Sequence, residues 1–182
     1  DAPDTANPSL WRDTQLNHIY GLFEVTDGIY QVRGYDMSNI TFIKGDTGWI
    51  VVDPLMSVEC AAAAFSLVEE NLGTFPVKAV IYSHSHVDHF GGVKGIVSEE
   101  DVQSGNVQII APEGFEKHAV SENIYAGTGM GRRASYQYGT MLEAGETGSL
   151  AIGIGMVQSR GSTSYISPTL EITQTGEKHT ID

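Results

Sequence analysis

Four potential metal ligands stand within six consecutive positions of this chain: His84, His86, Asp88 and His89. Ordinary packing gives no reason for such a density of imidazoles beside a carboxylate. Imidazole nitrogens bind zinc at about 2.0–2.1 Å and carboxylate oxygens at a similar distance, so these residue types suit a borderline-soft divalent cation. In an extended stretch His84 and His86 point to the same side. We therefore expect this pair to hold one metal ion and Asp88 with His89 to hold a second, an arrangement that activates a bridging water near neutral pH.

The run before the histidines, residues 76–83, is rich in β-formers and bounded by Pro76. It predicts a strand that delivers the histidines at its carboxyl end. Ligand sites of α/β sheets lie outside that end. A solvated histidine loop or a tag is the alternative interpretation, but a tag is terminal and would lack the acid, so we favour the metal site.

The remaining patterns predict helices packed against a mixed sheet. Apolar positions recur with helical period over residues 57–72, and Gly73 follows as a C-cap. A short helix is expected after Gly92. Further strands are predicted at residues 29–33, 39–44, 49–53 and 107–111, the second and third joined by turn residues.

Residues 127–161 contain nine glycines. No Gly-Lys-Ser or Gly-Lys-Thr follows them, so a phosphate-binding loop is not indicated. Long irregular segments of compact domains tend to carry function. We predict a flexible lid or wall beside the metal turn.

The formal net charge of −13, from 10 Lys and Arg against 23 Asp and Glu, restricts the partners. It argues against nucleic acid or an anionic membrane, because both are bound through clustered basic residues. No apolar run approaches the ~20 residues that span a bilayer. An anionic substrate would be repelled at long range, so metal ions or nearby arginines would have to bind it.

The pattern His84-x-His86-x-Asp88-His89 after an apolar strand, with Asp53 ending an earlier strand, resembles the metallo-β-lactamase fold. That motif is shared by lactamases, thioesterases, lactonases, nucleases and sulfatases. Its flanks are similar to the zinc-dependent alkyl sulfatases, which remove sulfate from detergent-like esters such as dodecyl sulfate. The similar segments are residues 29–39, 82–93, 121–127, 132–133 and 136–139.

This resemblance implies the N-terminal portion of a metallo-β-lactamase-like αββα sandwich, with a mixed sheet and flanking helices. It also implies hydrolysis of an anionic alkyl sulfate ester by water activated at a dinuclear zinc site, a homo-oligomeric intact protein, and a periplasmic or secreted location. We expect a single partial catalytic domain over 1–182. It would comprise an N-terminal extension at 1–28, the metal-motif sheet and helices at 29–126, and the glycine-rich lid or wall with terminal strands at 127–182.

Members of that family carry further metal ligands, two glutamates and a histidine, downstream of the segment seen here, and then two more domains. Within this chain the candidate substitutes are His118, His179, Glu171 and Glu177. We expect His118 to be structural or solvent-facing. Each ion would then lack a protein ligand, so we expect weak zinc binding and no measurable hydrolysis by this chain alone. An uncovered face or edge of the sheet would also favour self-association.

Arg132 and Arg133 are the expected sulfate contacts, because a planar guanidinium binds such an anion through paired donors. The same resemblance nominates Tyr125, Arg33 and Asn39 as weaker candidates. No catalytic residue is assigned. Two alternatives stay open: another hydrolase of the same fold, acting on a thioester, lactone or lactam, and a non-catalytic fragment with a partial metal site.

Overall fold

The sheet is built in the order of the sequence, from one edge to the other. The computed structural model describes all 182 residues and shows one seven-stranded sheet, β1 to β7. Neighbours from β1 to β4 are antiparallel, and neighbours from β4 to β7 are parallel. The strands are β1 Gly21–Thr26, β2 Ile29–Arg33, β3 Ile40–Lys44, β4 Trp49–Val52, β5 Val77–Ile81, β6 Gln108–Pro112 and β7 Leu170–Ile172.

Five α-helices accompany the sheet, and none is long and apolar enough to cross a membrane. Single-turn 3-10 helices occur at Val87–His89 and Val93–Gly95, and a π-helical turn joins α4 to α5 at Ser121–Tyr125. The α-helices are α1 Pro8–Asn17, α2 Val58–Leu72, α3 Glu99–Gln103, α4 Phe115–Val120 and α5 Gly127–Tyr138.

The α/β class that the sequence predicts, a mixed sheet with flanking helices, is confirmed. Helix α2 and the strands β2 to β6 lie within two residues of their predicted bounds. These segments carry uninterrupted periodic patterns bounded by turn residues, which is where sequence patterns are most informative.

The first 28 residues contain two elements that the sequence analysis did not predict. Asn7 caps α1 by accepting a hydrogen bond from Ser9 N at 2.9 Å, and Pro8 begins the helix. Strand β1 pairs with β2 across the turn Asp27-Gly28. A polar cap before proline and an Asp-Gly turn are recognised start and hairpin signals, so both elements were available from the sequence. Residues 21–28 therefore belong structurally with the sheet.

The glycine-rich region begins with an ordered helix. Helix α5 spans Gly127–Tyr138 and ends at Gly139, which has a φ of +63°. The expected lid or wall is therefore helical in its first part. Glycine disfavours helix interiors by about 1 kcal/mol relative to alanine, which explains why the composition indicated an irregular segment.

A cluster of aromatic side chains anchors the metal motif to the sheet. Phe90, directly after the motif, is buried, and its ring centroid lies 6.0 Å from Tyr82, 5.5 Å from Phe115 and 5.7 Å from Tyr165. Aromatic pairs at such separations contribute beyond their buried area. The turn that carries the histidines is thus fixed from below by apolar packing.

Gly91 and Gly92 allow this turn to lie against the loop between β4 and α2. A Cβ at position 92 would overlap the carbonyl oxygen of Pro54 and stand 2.7 Å from the Cβ of Ala61. A Cβ at position 91 would overlap the carbonyl oxygen of Met56. The Gly-Gly pair behind the histidines is therefore a packing requirement.

We predict that Gly92→Ala lowers the free energy of unfolding by about 2–3 kcal/mol, because the added methyl group forces the backbone apart. The matched control is Gly129→Ala, on the exposed face of α5 with no atom near the added methyl group. It should be neutral or stabilise by up to ~1 kcal/mol. Urea denaturation measures both, and a Gly92→Ala variant as stable as Gly129→Ala would contradict the close approach.

Candidate metal centre

The candidate centre lies where the parallel strands β4 and β5 end side by side. Asp53 directly follows β4, and its backbone N–H donates to the carbonyl of Ile81 at 2.9 Å. Ser83 and the motif follow β5. The carboxyl ends of parallel strands meet at one edge of a sheet, which is where α/β proteins place ligands. The fold therefore brings Asp53 beside the motif.

The Asp53 carboxylate accepts three hydrogen bonds from Ser83 and His89. Its Oδ1 accepts from the backbone N–H of Ser83 at 2.8 Å, and its Oδ2 accepts from the Ser83 hydroxyl at 2.7 Å. The same Oδ2 is 2.8 Å from Nδ1 of His89. Asp53 has a φ of +56°, a left-handed conformation that non-glycine residues adopt at an energetic cost of order 1–3 kcal/mol. This backbone conformation brings the carboxylate of Asp53 within hydrogen-bonding distance of Ser83 and His89.

The hydrogen bonds of the Ser83 hydroxyl determine the tautomer of His84. The single hydroxyl hydrogen of Ser83 is donated to Asp53, so Ser83 Oγ can only accept from Nδ1 of His84, 2.9 Å away. Nδ1 of His84 therefore carries the hydrogen, and Nε2 is left with a lone pair. That Nε2 lies 3.1 Å from Nδ1 of His86.

His89 is oriented in the same way by its second nitrogen. Its Nδ1 donates to Asp53 at 2.8 Å, while its Nε2 lies 3.1 Å from Oδ2 of Asp88. The ring centroid of His84 is 4.1 Å from that of His89 and 4.7 Å from that of His86. The structure thus brings all four predicted ligands together in one partly exposed cluster.

The surroundings shift the pKa values of the two histidines His84 and His89 in opposite directions. Burial and the neighbouring imidazoles His89 and His86 lower the pKa of His84. Burial also disfavours charge on His89, but hydrogen bonds to Asp53 and Asp88 outweigh it and raise the pKa of His89 to about 9. Burial opposes ionisation of Asp88 as well, yet the hydrogen bond and charge of His89 lower its pKa. The Asp88–His89 pair is therefore an ion pair at neutral pH when a proton rather than a metal lies between them.

The donor atoms fit metal ions in pairs. Two ligand atoms that are each 2.0–2.1 Å from a tetrahedral zinc lie about 3.3–3.4 Å apart. The His84 to His86 and Asp88 to His89 donor distances are both 3.1 Å, close to that value. No group of three His, Cys, Asp or Glu side chains is arranged to hold one ion. Each pair therefore supplies two ligands to an ion that needs more.

The candidate substitute ligands lie elsewhere. His118 is exposed on α4, and Glu171 is exposed on β7. His179 contacts Glu177, with 2.6 Å between Nε2 and Oε1. None of these four joins the histidine cluster in a ligand group.

A cavity of about 290 Å³ borders the cluster at His86 and Asp88. Met37 and Met56 line it from the loops after β2 and β4, and α5 lines it through small residues, Met130 and Tyr138. Its size is at the lower end of small-molecule sites. Helix α5 is therefore a wall of the cleft beside the motif.

The predicted substrate contacts are not gathered in this cavity. Arg132 and Arg133 lie on the exposed side of α5, where Arg133 contacts Met130 at 3.0 Å and Gly129 O at 3.4 Å. Tyr125 is 84% exposed. Arg33 and Asn39 line a separate cavity of about 240 Å³.

Two residues that support the motif were not predicted from the sequence. Ser38 is buried, and its hydroxyl donates to the carbonyl of Asp88 at 2.5 Å. Glu122 Oε1 lies 3.2 Å from Nε2 of His86. The only available signal was that both fall in segments similar to alkyl sulfatases, since their distance from the motif along the chain hides the contacts.

A sequence profile described as the metallo-beta-lactamase superfamily matches residues 33–175. The chain belongs to this superfamily. The match includes the motif and Asp53, and it confirms the fold that the sequence resembles.

Proteins similar to the chain include a linear primary-alkylsulfatase from Pseudomonas sp, 56% identical over 100% of the chain and 27% of that protein. An alkyl/aryl-sulfatase of Saccharomyces cerevisiae is 51% identical over 98% of the chain and 28% of that protein. The solved structure of the stereoselective inverting sec-alkylsulfatase Pisa1 from Pseudomonas sp has a TM-score of 0.94 at 48% identity, covering 99% of the chain and 28% of that protein. The chain thus spans little more than a quarter of the length of these alkylsulfatases.

We predict that His89 titrates near pH 9 in the metal-free protein, whereas His84 titrates below 6.5. A raised folded-state pKa stabilises the protein fully below the unfolded value of about 6.5. This contribution of His89 is lost as the pH rises through about 9. Histidine-selective NMR titration measures both pKa values.

Asp53→Asn should bring the pKa of His89 down towards 6.5, because one of its two carboxylate partners loses its charge. Asp46→Asn, in the turn between β3 and β4, is the control and should leave that pKa unchanged. An unaltered His89 pKa in Asp53→Asn would contradict the role assigned to Asp53.

Proposed function

We propose that this chain supplies four ligands of a dinuclear zinc site in a hydrolase that releases sulfate from alkyl sulfate esters. The observation that carries the proposal is the pairing of His84 with His86 and of Asp88 with His89 at zinc-compatible distances. Support for the substrate class comes from the similarity to alkylsulfatases over the whole chain.

Zinc, when bound, supplies a water of lowered pKa and an electrophilic contact for the ester oxygens. The candidate ligands of the chain would bind zinc through the lone pairs of their nitrogen and oxygen atoms. Asp53 holds His84 through Ser83 and holds His89 directly. His89 must release its proton before its Nε2 can bind a metal, so metal binding at this pair is coupled to proton release.

The alkyl part of the substrate is proposed to enter the cavity beside His86. Three methionines, together with three small residues of α5, form part of its walls, and methionine adapts to irregular apolar groups. Arg132 and Arg133 remain the proposed sulfate contacts because they are adjacent guanidinium groups, and they lie on the exposed side of α5, outside the lining of the cavity itself. With a net charge of −13, local cations are needed to bind the anion.

We expect the full-length protein to hydrolyse dodecyl sulfate and not a thioester or a β-lactam at a comparable rate. His84→Ala should lower kcat/KM by at least about 10³-fold, in the range that loss of metal-dependent transition-state stabilisation reaches. His118→Ala, on the exposed face of α4, is the matched control and should retain activity. Sulfate release measures each rate, and preferential turnover of the thioester or lactam would support the other hydrolase class instead.

Arg132→Ala and Arg133→Ala test the sulfate contacts in the same protein. Loss of a guanidinium that binds the sulfate should raise KM for dodecyl sulfate by about 10-fold or more, because a charged hydrogen bond contributes about 1.5–3 kcal/mol. Arg12→Ala, on α1, is the control. Unchanged KM in both variants would remove these arginines from the site.

Zinc should bind weakly to this chain alone, because each donor pair provides two ligands and catalytic zinc sites use three protein ligands. Isothermal titration of the 182-residue chain against zinc, with a His84→Ala and His89→Ala double variant as control, measures the affinity. Stoichiometric zinc that survives dialysis against a chelator would show that another side chain completes the site.

A further inference from the structure

His86 is an exposed member of the cluster. Its side chain is 56% exposed, whereas that of His89 is 22% exposed. Asp53 fixes the rings of His84 and His89 through their Nδ1 atoms and makes no contact with His86. An exposed imidazole is free to rotate unless its second nitrogen is held.

Glu122 occupies the position that would hold this ring. Its Oε1 lies 3.2 Å from Nε2 of His86, while Nδ1 of the same ring faces His84 at 3.1 Å. The two contacts use opposite nitrogens, so Glu122 is beside the ligand and not on the metal side of it. Its own side chain is 21% exposed.

The backbone around Glu122 has a rare conformation. Ser121–Tyr125 form a π-helical turn, closed by the N–H of Ala126 donating to the carbonyl of Ser121 at 2.9 Å. The extra residue in such a turn changes the direction of the side chains that follow, and π-helical turns are frequent at functional sites. The turn also joins α4 to the helix α5 that lines the cleft.

We propose that Glu122 is the positioning residue of His86. Its carboxylate accepts the hydrogen of Nε2, which leaves the lone pair of Nδ1 directed at the site shared with His84. Two lone pairs, from His84 Nε2 and His86 Nδ1, then face one another at 3.1 Å, a separation that a metal ion bound by both would satisfy. The inference rests on the proposed metal site and adds the residue that orients its exposed ligand His86.

A surface ion pair between Glu122 and a charged His86 is the competing explanation. Such a pair contributes at most about 1 kcal/mol and has no consequence for metal binding. A positioning carboxylate does affect metal binding, because removing the partner of a metal-binding histidine typically weakens metal affinity by 10–100-fold. Metal affinity therefore separates the two.

The test uses the full-length zinc protein and the variants Glu122→Ala and Glu122→Gln, with Glu116→Ala as the control on the exposed face of α4. Chelator competition measures the two zinc dissociation constants. We expect Glu122→Ala to weaken one ion by about 10–100-fold and to leave the other unchanged. Glu122→Gln, which keeps an acceptor oxygen, should recover most of the loss, and Glu116→Ala should match the unaltered protein.

NMR of the metal-free protein gives a second readout that does not depend on zinc. The Nε2–H resonance of His86 should be protected from solvent exchange in the unaltered protein and in Glu116→Ala, and broadened in Glu122→Ala. Zinc constants within twofold of the unaltered protein in both Glu122 variants, equal weakening of both ions, or an unchanged Nε2–H resonance would each overturn the proposal. Absence of zinc or of alkyl sulfate hydrolysis in the unaltered protein would instead contradict the proposed function, while the NMR result still decides the contact.

Discussion

The Asp53 carboxylate is the interaction on which the candidate centre depends. It lies at the end of β4 in a left-handed conformation and accepts hydrogen bonds from Ser83 and His89, which follow the neighbouring strand β5. A carboxylate accepts hydrogen bonds and donates none when ionised, so it determines which nitrogen of each imidazole carries a hydrogen. Acting on His84 through Ser83 and on His89 directly, one side chain thereby leaves Nε2 of each ring as the nitrogen available to a metal ion.

Close packing around the histidine turn keeps the rings of His84 and His89 in this orientation. The aromatic packing of Phe90 and the close approach of Gly92 to Pro54 hold the turn against the core. The hydroxyl of Ser38 fixes the carbonyl of Asp88 from the loop after β2. Metal ligands need their rotamers restricted before the ion arrives, and here segments that are far apart in the sequence provide the restriction.

The sequence predicted the mixed sheet with its strands β2 to β6, helix α2 and the clustering of His84, His86, Asp88 and His89, because each is carried by a local period or a contiguous motif. It overlooked α1 and β1 although their cap and turn residues are visible, and it mistook the start of α5 for an irregular segment. Helix α5 contains three glycines, and the weak helix preference of glycine made an irregular segment the natural interpretation. The error at α5 was therefore unavoidable, whereas the omission of α1 and β1 was not.

The amino-acid sequence by itself predicted the candidate ligand set and its division into pairs, since the alternation of an extended chain fixes which neighbours share a side. Tertiary structure decided how those ligands are held. Glu122, within the π-helical turn before α5, meets His86 from a distant part of the chain, and Arg132 with Arg133 lie on the exposed side of α5. Contacts between distant segments depend on backbone geometry in three dimensions, which no local period in the sequence records.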